Sequence, residues 1–320
     1  MKQYLQMMRH IMEDGVLTED RTGVGRKRIP GYQMVFDMKD GFPIVTSKLT
    51  SFRLFTEEML WMIKGKMDLR SLLEKDVHIW TEWAFESWVV SIDYDGVPFP
   101  ENWRLIKDTP EFAPVFQTEM RRFEELVITD DYISKTYGDF KPMYGYQWRH
   151  WLGVNPFTLE VEEMDQLQWA IDEIKNNPNS ARITVSAWNT NQVKYMKLPP
   201  CHREFQFICI DGELSLVMDQ RSCDSFLGVP FNIGEYAVLL HIVANITGTA
   251  PRYLVHNLND VHIYANQFEQ VKELLSREPL PLPQLKIKRK FKSIDDNITI
   301  DDFELVGYQH QGKIKAPVAI

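Results

Sequence analysis

The feature that most restricts the fold is a β-hairpin pattern followed by a long apolar helix. Apolar and polar residues alternate over 205–210 and 213–218, and the Asp211-Gly212 pair between them is a two-residue turn sequence. A proline then precedes an apolar stretch that predicts a helix over about 231–246. Because sheet and helix patterns follow each other directly, the sequence predicts a mixed α/β domain with a β-rich core.

Hydrophobic periodicity predicts further elements around this core. Helices are predicted over 1–14, 53–64, 111–126, 157–176 and 261–276, and strands over about 32–36, 182–187 and 252–258. Residues 86–140 differ in character, because they contain four prolines and a run of acidic residues. We interpret them as an insertion, a small subdomain on the surface of a single domain that spans 1–320.

The charge balance narrows the classes of partner. Lys and Arg total 36 against 45 Asp and Glu, so the net charge of −9 disfavours sequence-independent binding of DNA. A small anionic substrate would need a local cluster of arginines. Three cysteines imply no disulfide framework, the N-terminus has no apolar signal core, and the longest apolar run is too short to span a membrane. These features predict a cytoplasmic protein.

Cys201 is the first candidate for chemistry, because Pro199-Pro200 would rigidify the turn that presents its thiol directly before a predicted strand. Nearby arginines would favour the thiolate. A free cysteine is more often a small buried apolar residue, and we expect that role for Cys209.

The second candidate is the segment 220–233, which joins a strand end to a helix start. Arg221 and Ser222 suit a phosphate, since a guanidinium fork and a hydroxyl both donate hydrogen bonds. The amide of Asn232 offers a donor and an acceptor side by side and could bind the edge of a base, although helix capping is the common alternative for such a residue.

The third candidate is the segment 259–264. Asp260 could cap a following helix, and His262 and Tyr264 could be ordinary surface residues. No Cys-x-x-Cys or His-Glu-x-x-His spacing supports zinc, so we expect no metal.

Several motifs together resemble the thymidylate synthase family, in its longer form with an insertion in the small domain. The resemblance runs along nearly the whole chain, and the segments that carry it are 20–23, 41–46, 79–84, 144–149, 185–189, 199–202, 220–233 and 314–320. It implies an α/β (α+β) fold with a mixed sheet flanked by helices, and a homodimer that packs through the sheet. It also implies dUMP as substrate and 5,10-methylenetetrahydrofolate as the carbon donor.

The resemblance assigns catalytic roles by position. The Cys201 thiolate would add to C6 of uracil, and Asn232 would bind the ring amide and carbonyl. Tyr144, Glu58 and His202, with ordered water, match the network that moves protons. Asp224 is also placed among the catalytic residues.

It assigns binding roles in the same way. The phosphate would be held by Arg21, Arg221 and Ser222 and by Arg182 from the other subunit, with Gln220 also on the substrate side and His262 and Tyr264 at the sugar 3′-hydroxyl. The folate side would comprise Lys48, at the glutamate tail, and Trp80, Trp83, Asp224 and Gly228, with Ile320 closing over the ligands.

The chain departs from the family pattern at positions near the cofactor or phosphate. The departures are Lys66-Met67, Thr81, Ala181, Asp219, Gly234-Glu235 and Asn259. Two further hypotheses follow: a dUMP hydroxymethylase, in which water attacks in place of hydride, and an inactive nucleotide-binding paralogue. Asn232 favours uracil over cytosine in either enzyme, and the presence of Cys201, Tyr144 and Asn232 argues against the paralogue.

Overall fold

A six-stranded mixed sheet forms the centre of the protein in the computed structural model, which describes residues 1–19 and 23–317. In this part of the chain the strands are β1 (Val16–Thr18), β2 (Arg26–Asp37), β3 (Trp151–Val154), β4 (Val161–Met164), β5 (Thr184–Ser186), β6 (His202–Ile210), β7 (Glu213–Asp224), β8 (Ala250–Tyr264), β9 (Gln284–Ile287) and β10 (Phe303–Val306). The helices are α1 (Lys2–Asp14), α2 (Phe52–Ile63), α3 (Leu69–Leu73), α4 (Thr81–Val89), α5 (Trp103–Ile106), α6 (Ala113–Thr129), α7 (Asp131–Tyr137), α8 (Gly145–Arg149), α9 (Gln166–Asn176), α10 (Gly228–Thr247) and α11 (Phe268–Leu275).

The strand order of the sheet is β1-β2-β8-β7-β6-β5. Strands β7 and β8 pair in parallel, and every other neighbouring pair in this sheet is antiparallel. A parallel pair needs a crossover connection, and α10 supplies it. The register sets Ser222 opposite Asp260 and Asp224 opposite His262, so the ends of the two strands lie side by side.

Helix α10 is the central helix of the core. It is 20 residues long and apolar enough to cross a membrane by length and composition alone, but 78% of its apolar window is buried inside the protein. Its Gly234 lies against α2, where an added Cβ would meet ring atoms of Phe55 at 2.6–2.8 Å. The glycine therefore permits the close approach of these two helices.

The structure confirms the predicted hairpin, the first two helices and the buried position of Cys209, which is 8% exposed. The helix predicted over 157–176 is wrong in its first half, because 161–164 pairs with β3 as a short strand. Helix α9 begins only at Gln166, where the Asp165 side chain caps it by accepting from the Gln168 N–H.

The helix predicted over 261–276 is also wrong at its start. Residues Val261 and Ile263 continue β8 and pair with β2, and the α-helix begins at Phe268. Asp260 therefore lies within a strand and caps nothing. It forms ion pairs with Arg26 and Arg28.

The segment over 86–140 contains α5, α6 and α7. An aromatic cluster around Phe85 packs this segment against α4, with the rings of Phe99, Trp103, Phe116 and Phe123 at centroid distances of 5.6–6.0 Å. Its treatment as a surface subdomain stays a prediction.

Candidate active site

The turn that presents Cys201 is held by Arg221 from the neighbouring strand. The Arg221 guanidinium donates to the carbonyl oxygens of Pro199 at 2.6 Å and Pro200 at 2.9 Å. The Arg221 backbone N–H donates to the Cys201 carbonyl at 2.7 Å. Three hydrogen bonds from one residue therefore fix the position of the thiol before β6 begins.

Two opposing effects act on the Cys201 thiol. Burial raises its pKa above the usual value, whereas the charge of Arg221 and a hydrogen bond with Tyr144 lower it. The expectation that an arginine favours the thiolate is correct in direction, but burial outweighs it in the protein without ligands.

Tyr144 is held in a strained backbone conformation beside the cysteine. Its φ of +33° is rare for a residue with a side chain, and the residue is only 2% exposed. The hydroxyl accepts a hydrogen bond from the Cys201 backbone N–H at 2.9 Å. Gly145 follows at the start of α8, where an added Cβ would lie 1.9 Å from the Met62 carbonyl oxygen. Close packing of α8 on α2 thus accounts for the glycine at this position.

The amide of Asn232 is fixed by its neighbours on both sides. Its Oδ1 accepts from Gln220 Nε2 at 3.0 Å, and its Nδ2 lies 3.3 Å from His202 Nε2 and 3.0 Å from Glu235 Oε2. Asn232 lies in the second turn of α10 rather than at its cap, so the capping alternative is excluded.

His202 is neutral in this network. Burial lowers its pKa to about 3, so its Nε2 accepts from Asn232 while its Nδ1–H donates to the Tyr236 hydroxyl at 3.0 Å. The ring of Tyr144 lies 4.5 Å from the His202 ring. The tautomer that this arrangement requires leaves no unpaired ring nitrogen on His202.

A second carboxyl group lies next to Glu58. Glu58 Oε1 accepts from the Trp80 indole N–H at 2.7 Å, and the Glu235 carboxyl lies close enough to that of Glu58 to act on its pKa. Burial raises the pKa of both carboxyl groups, and Glu58 raises that of Glu235 further. Two carboxyl groups can hydrogen-bond only when one of them carries a proton.

The candidate sugar residues lie where β2 and β8 pair. His262 is 1% exposed, its ring is 5.2 Å from that of Tyr264, and its Nδ1 is 2.9 Å from the Asp260 carbonyl oxygen. Nδ1 also lies 3.4 Å from Arg26 Nη1, which can only donate, so the two contacts require opposite tautomers. The shorter contact, to the carbonyl, favours a proton on Nδ1 and leaves Nε2 as an acceptor. Arg26 pairs with Asp260 at 3.1 Å beside this histidine.

The candidate phosphate residues are only partly brought together. Arg221 and Arg28 line a surface pocket of about 270 Å³ with Asn259 and Asp260, and Ser222 lies beside Arg221 on β7. Arg182 is exposed at the far edge of the sheet, before β5. The predicted Arg21 lies outside the described residues.

Two of the candidate folate residues, Asp224 and Gly228, lie at the start of α10. Trp80, before α4, is 6% exposed, and Asp224 is half-buried and accepts from the Phe226 and Leu227 N–H groups. An added Cβ at Gly228 would lie 3.7 Å from Asp224 Cβ and 3.8 Å from Asn232 Oδ1, so the glycine leaves the space between these two side chains open.

Two other residues assigned to the folate side are at least partly buried. Trp83 is partly buried in the first turn of α4. Lys48 is 6% exposed, and its Nζ donates inward to the Phe226 carbonyl at 2.5 Å while burial lowers its pKa to about 8. Ile320 lies outside the described residues. The aromatic wall, the acidic side chain and the open glycine fit a flat heterocycle such as a pterin.

The described ranges 1–19 and 23–317 contain no group of three His, Cys, Asp or Glu side chains arranged to hold a metal ion. The buried His256 on β8 meets Gln220 Oε1 through Nε2 at 2.8 Å. Burial lowers the pKa of His256 to about 3, so its neutral ring fixes the orientation of Gln220.

Sequence reasoning missed three residues of this network: His256 as a support for Gln220, Tyr236 as the partner of His202, and Glu235 as the partner of Glu58. Glu235 carried a signal, since a carboxylate is rare inside an otherwise apolar helix. The other two carried none that distinguishes them from ordinary buried polar residues.

A sequence model of the thymidylate synthase family matches residues 2–320, which is the whole chain after the first residue. The chain therefore belongs to the thymidylate synthase family, and the resemblance drawn from its motifs is confirmed. Membership makes the protein an enzyme, a one-carbon transferase of the type that acts on dUMP with methylenetetrahydrofolate as cosubstrate. The mixed sheet flanked by helices agrees with that fold.

Proposed function

We propose that the protein methylates dUMP to dTMP, with Cys201 as the nucleophile. The observation that carries the proposal is the fixed position of Cys201 between Arg221 and Tyr144, beside an Asn232 amide whose two ends are held by protein groups. Such preorganised groups lower a barrier without rearranging during the reaction.

The chain's own residues account for the first bond. The Cys201 thiolate forms a bond to C6 of uracil, and the electron pair of the C5–C6 double bond moves toward C5 and the C4 carbonyl oxygen. Asn232 Oδ1, which accepts one hydrogen bond from Gln220, can accept a second from the ring N–H, and Nδ2 would donate to the C4 carbonyl oxygen in exchange for its bond to His202 or Glu235. Methylenetetrahydrofolate, when bound against Trp80 and Asp224, supplies the one-carbon unit and then a hydride.

Later steps remove the C5 proton and release the cysteine. Tyr144 lies within hydrogen-bond distance of the Cys201 backbone and in ring contact with His202, so it can pass a proton through ordered water toward Glu58. The adduct then breaks at the sulfur–C6 bond, and the electron pair returns to the thiolate.

We further propose a homodimer that packs through the outer face of the sheet. This face carries Val35, which is 43% exposed and lies in register with Val255 and Val217, and Ile210, which is 65% exposed near the end of β6. Arg182 of the partner subunit would then reach the phosphate beside Arg221 and Ser222. The free state of all three cysteines is compatible with the cytoplasmic location that we propose.

One observation favours a second candidate, the dUMP hydroxymethylase. The carboxyl group of Glu235 brings a second buried acid to within 3.0 Å of the Asn232 amide. A polar pair of this kind could hold the water that replaces hydride at the exocyclic carbon.

Product analysis separates the two activities. Purified protein is incubated with dUMP and methylenetetrahydrofolate. Dihydrofolate formation is followed by absorbance, and the mass of the nucleotide product is measured by mass spectrometry. Methylation gives one dihydrofolate per dTMP, since hydride leaves the folate. Consumption of dUMP without dihydrofolate, and a product heavier than dTMP by one oxygen, would replace our proposal with the hydroxymethylase.

A further inference from the structure

The active-site groups form a closed circuit of contacts in which Glu235 is a necessary link. Tyr144 contacts His202, His202 meets Asn232, and Asn232 meets Glu235. Glu235 meets Glu58, Glu58 accepts from Trp80, and the Trp80 ring lies 6.0 Å from that of Tyr144. Without Glu235, the Asn232 amide and the Glu58 carboxyl would lose their mutual link.

The hydrogen bonds indicate which oxygen carries a proton. Glu235 Oε2 accepts from Asn232 Nδ2, and Glu235 Oε1 has no N–H or hydroxyl partner within the described part of the chain. Because Glu235 is only 1% exposed, an unpartnered oxygen would be costly there. A proton on Oε1, donated to Glu58, satisfies both carboxyl groups.

We propose that Glu58 and Glu235 act as one acid–base unit that shares a single proton. Glu235 is the positioning residue of this unit and sets the pH range in which Glu58 can give up or take up that proton. The role of this unit in turnover rests on the proposed function. The existence of the shared proton does not. Two adjacent carboxyl groups in a buried site resist the loss of their last proton, since both cannot be charged at low cost.

The other titratable groups around the pair do not compete with it. His202 on β6 and His256 on β8 are neutral, since burial lowers the pKa of each to about 3. Tyr236 on the same helix and Tyr144 before α8 have pKa values raised by burial. Within the described part of the chain, the site also contains Cys201 before β6, whose pKa is raised, and Asp224 with its neighbour Lys48.

The shared proton has a measurable effect on stability. In the unfolded chain both glutamates lose their protons well below neutral pH, whereas the folded pair keeps one. Folding is therefore weakened progressively as the pH rises above the ordinary glutamate pKa, up to the raised pKa of the pair. The sign is that of any acid whose folded pKa exceeds its unfolded pKa.

The test is urea unfolding between about pH 5 and pH 9, where this linkage acts. The variants are Glu235→Gln, Glu235→Ser as a second substitution of the same site, Glu58→Gln and the double variant. The matched control is Glu57→Gln, because Glu57 is the neighbouring residue on α2, is 5% exposed and pairs with Lys75 instead. The kcat of the wild type, of Glu235→Gln and of Glu57→Gln is measured over the same range.

We expect the equilibrium constant for folding of Glu235→Gln, divided by that of the wild type, to increase by up to tenfold per pH unit over part of this range. Glu58→Gln should remove the same pH dependence, and the double variant should remove no more than either single variant. The alkaline decline of kcat should be present in the wild type and absent from Glu235→Gln, while Glu57→Gln keeps it.

The proposal is overturned if Glu235→Gln and Glu235→Ser keep the wild-type pH dependence of unfolding, or if the effects of the two sites add. Failure of the proposed function is a separate result. A protein that makes no product from dUMP but loses the pH dependence in both single variants retains the shared proton and lacks only its assigned reaction.

Discussion

Arg221 donates a hydrogen bond from its Nε to the carbonyl oxygen of Pro200 and so holds the residue that directly precedes the candidate nucleophile. The same guanidinium lowers the pKa of the Cys201 thiol, although burial raises it overall. One side chain therefore positions the sulfur and makes its thiolate more accessible.

Arg221→Gln should slow alkylation of Cys201 by iodoacetamide by about tenfold at a fixed pH, because the pKa of the thiol rises when the charge is removed. The reaction is followed by mass spectrometry of the Cys201 peptide across a pH series. Arg221→Lys is the control, since it keeps the charge and loses the fork. An unchanged rate profile in Arg221→Gln would show that this arginine does not influence the thiol.

Cys201→Ala should bind dUMP within a few-fold of the wild type and lose turnover by several orders of magnitude, because the bond to C6 cannot form. Cys209→Ala is the control, since Cys209 lies in β6 and takes no part in the site. A 5-fluoro analogue of dUMP with the folate should form a covalent complex in the wild type. Normal turnover by Cys201→Ala would reject the mechanism.

Asn232→Asp should lower kcat/KM for dUMP and raise it for dCMP, because a carboxyl group can accept from the exocyclic amine of cytosine. The substitution also places a third acid beside Glu235 and Glu58, so we expect a loss of stability as the pH rises. Both nucleotides are assayed side by side, and Asn102→Asp controls for added charge at an exposed position in the 86–140 segment. A uniform loss with both substrates would mean that Asn232 does not select the base.

Ala181→Arg should tighten dUMP binding by roughly tenfold or more, since one charge-assisted hydrogen bond contributes about 1.5–3 kcal/mol. The expectation depends on the proposed dimer, in which residues near Arg182 approach the phosphate of the other subunit. Calorimetry of dUMP binding measures the change, with deoxyuridine as the ligand that lacks the phosphate. Equal affinity for both proteins would indicate that the phosphate is fully held already or that the subunits associate differently.

Gly234→Ala should destabilise the protein by about 1–3 kcal/mol, because its methyl group would overlap the Phe55 ring. Urea unfolding gives the difference. Gly153→Ala is the comparison, since the nearest atoms there, those of Trp151, lie at 3.9–4.0 Å. Equal stability of the two variants would mean that α2 and α10 can separate without cost.

Local sequence patterns were sufficient to predict the elements whose partners lie nearby in the chain. The hairpin over β6 and β7 and the helix α10 follow from alternation, a two-residue turn and an apolar run. The end of β8 did not follow, because Val261 and Ile263 are held in the strand by β2, which is distant in sequence. Tertiary pairing there outweighs the local helical preference.

The same limit applies to the site. Cys201, Asn232 and Tyr144 could be singled out from motifs, and the structure places them together. The meeting of Glu235 with Glu58 could not be foreseen, since it depends on the packing of α10 against α2. Arg21 and Ile320 lie outside the described residues, and their roles stay predictions.

The parallel register of β7 and β8 also determines which changes of chain length the protein can tolerate. Deleting or inserting one residue within β8 would reverse the side on which His256 and Leu258 face, because strand side chains alternate. Gln220 would then lose its histidine support, even though no site residue had been substituted. The turn between β3 and β4, where Phe157 is 94% exposed, carries no such constraint. Tags or short loops are therefore best accommodated at that turn.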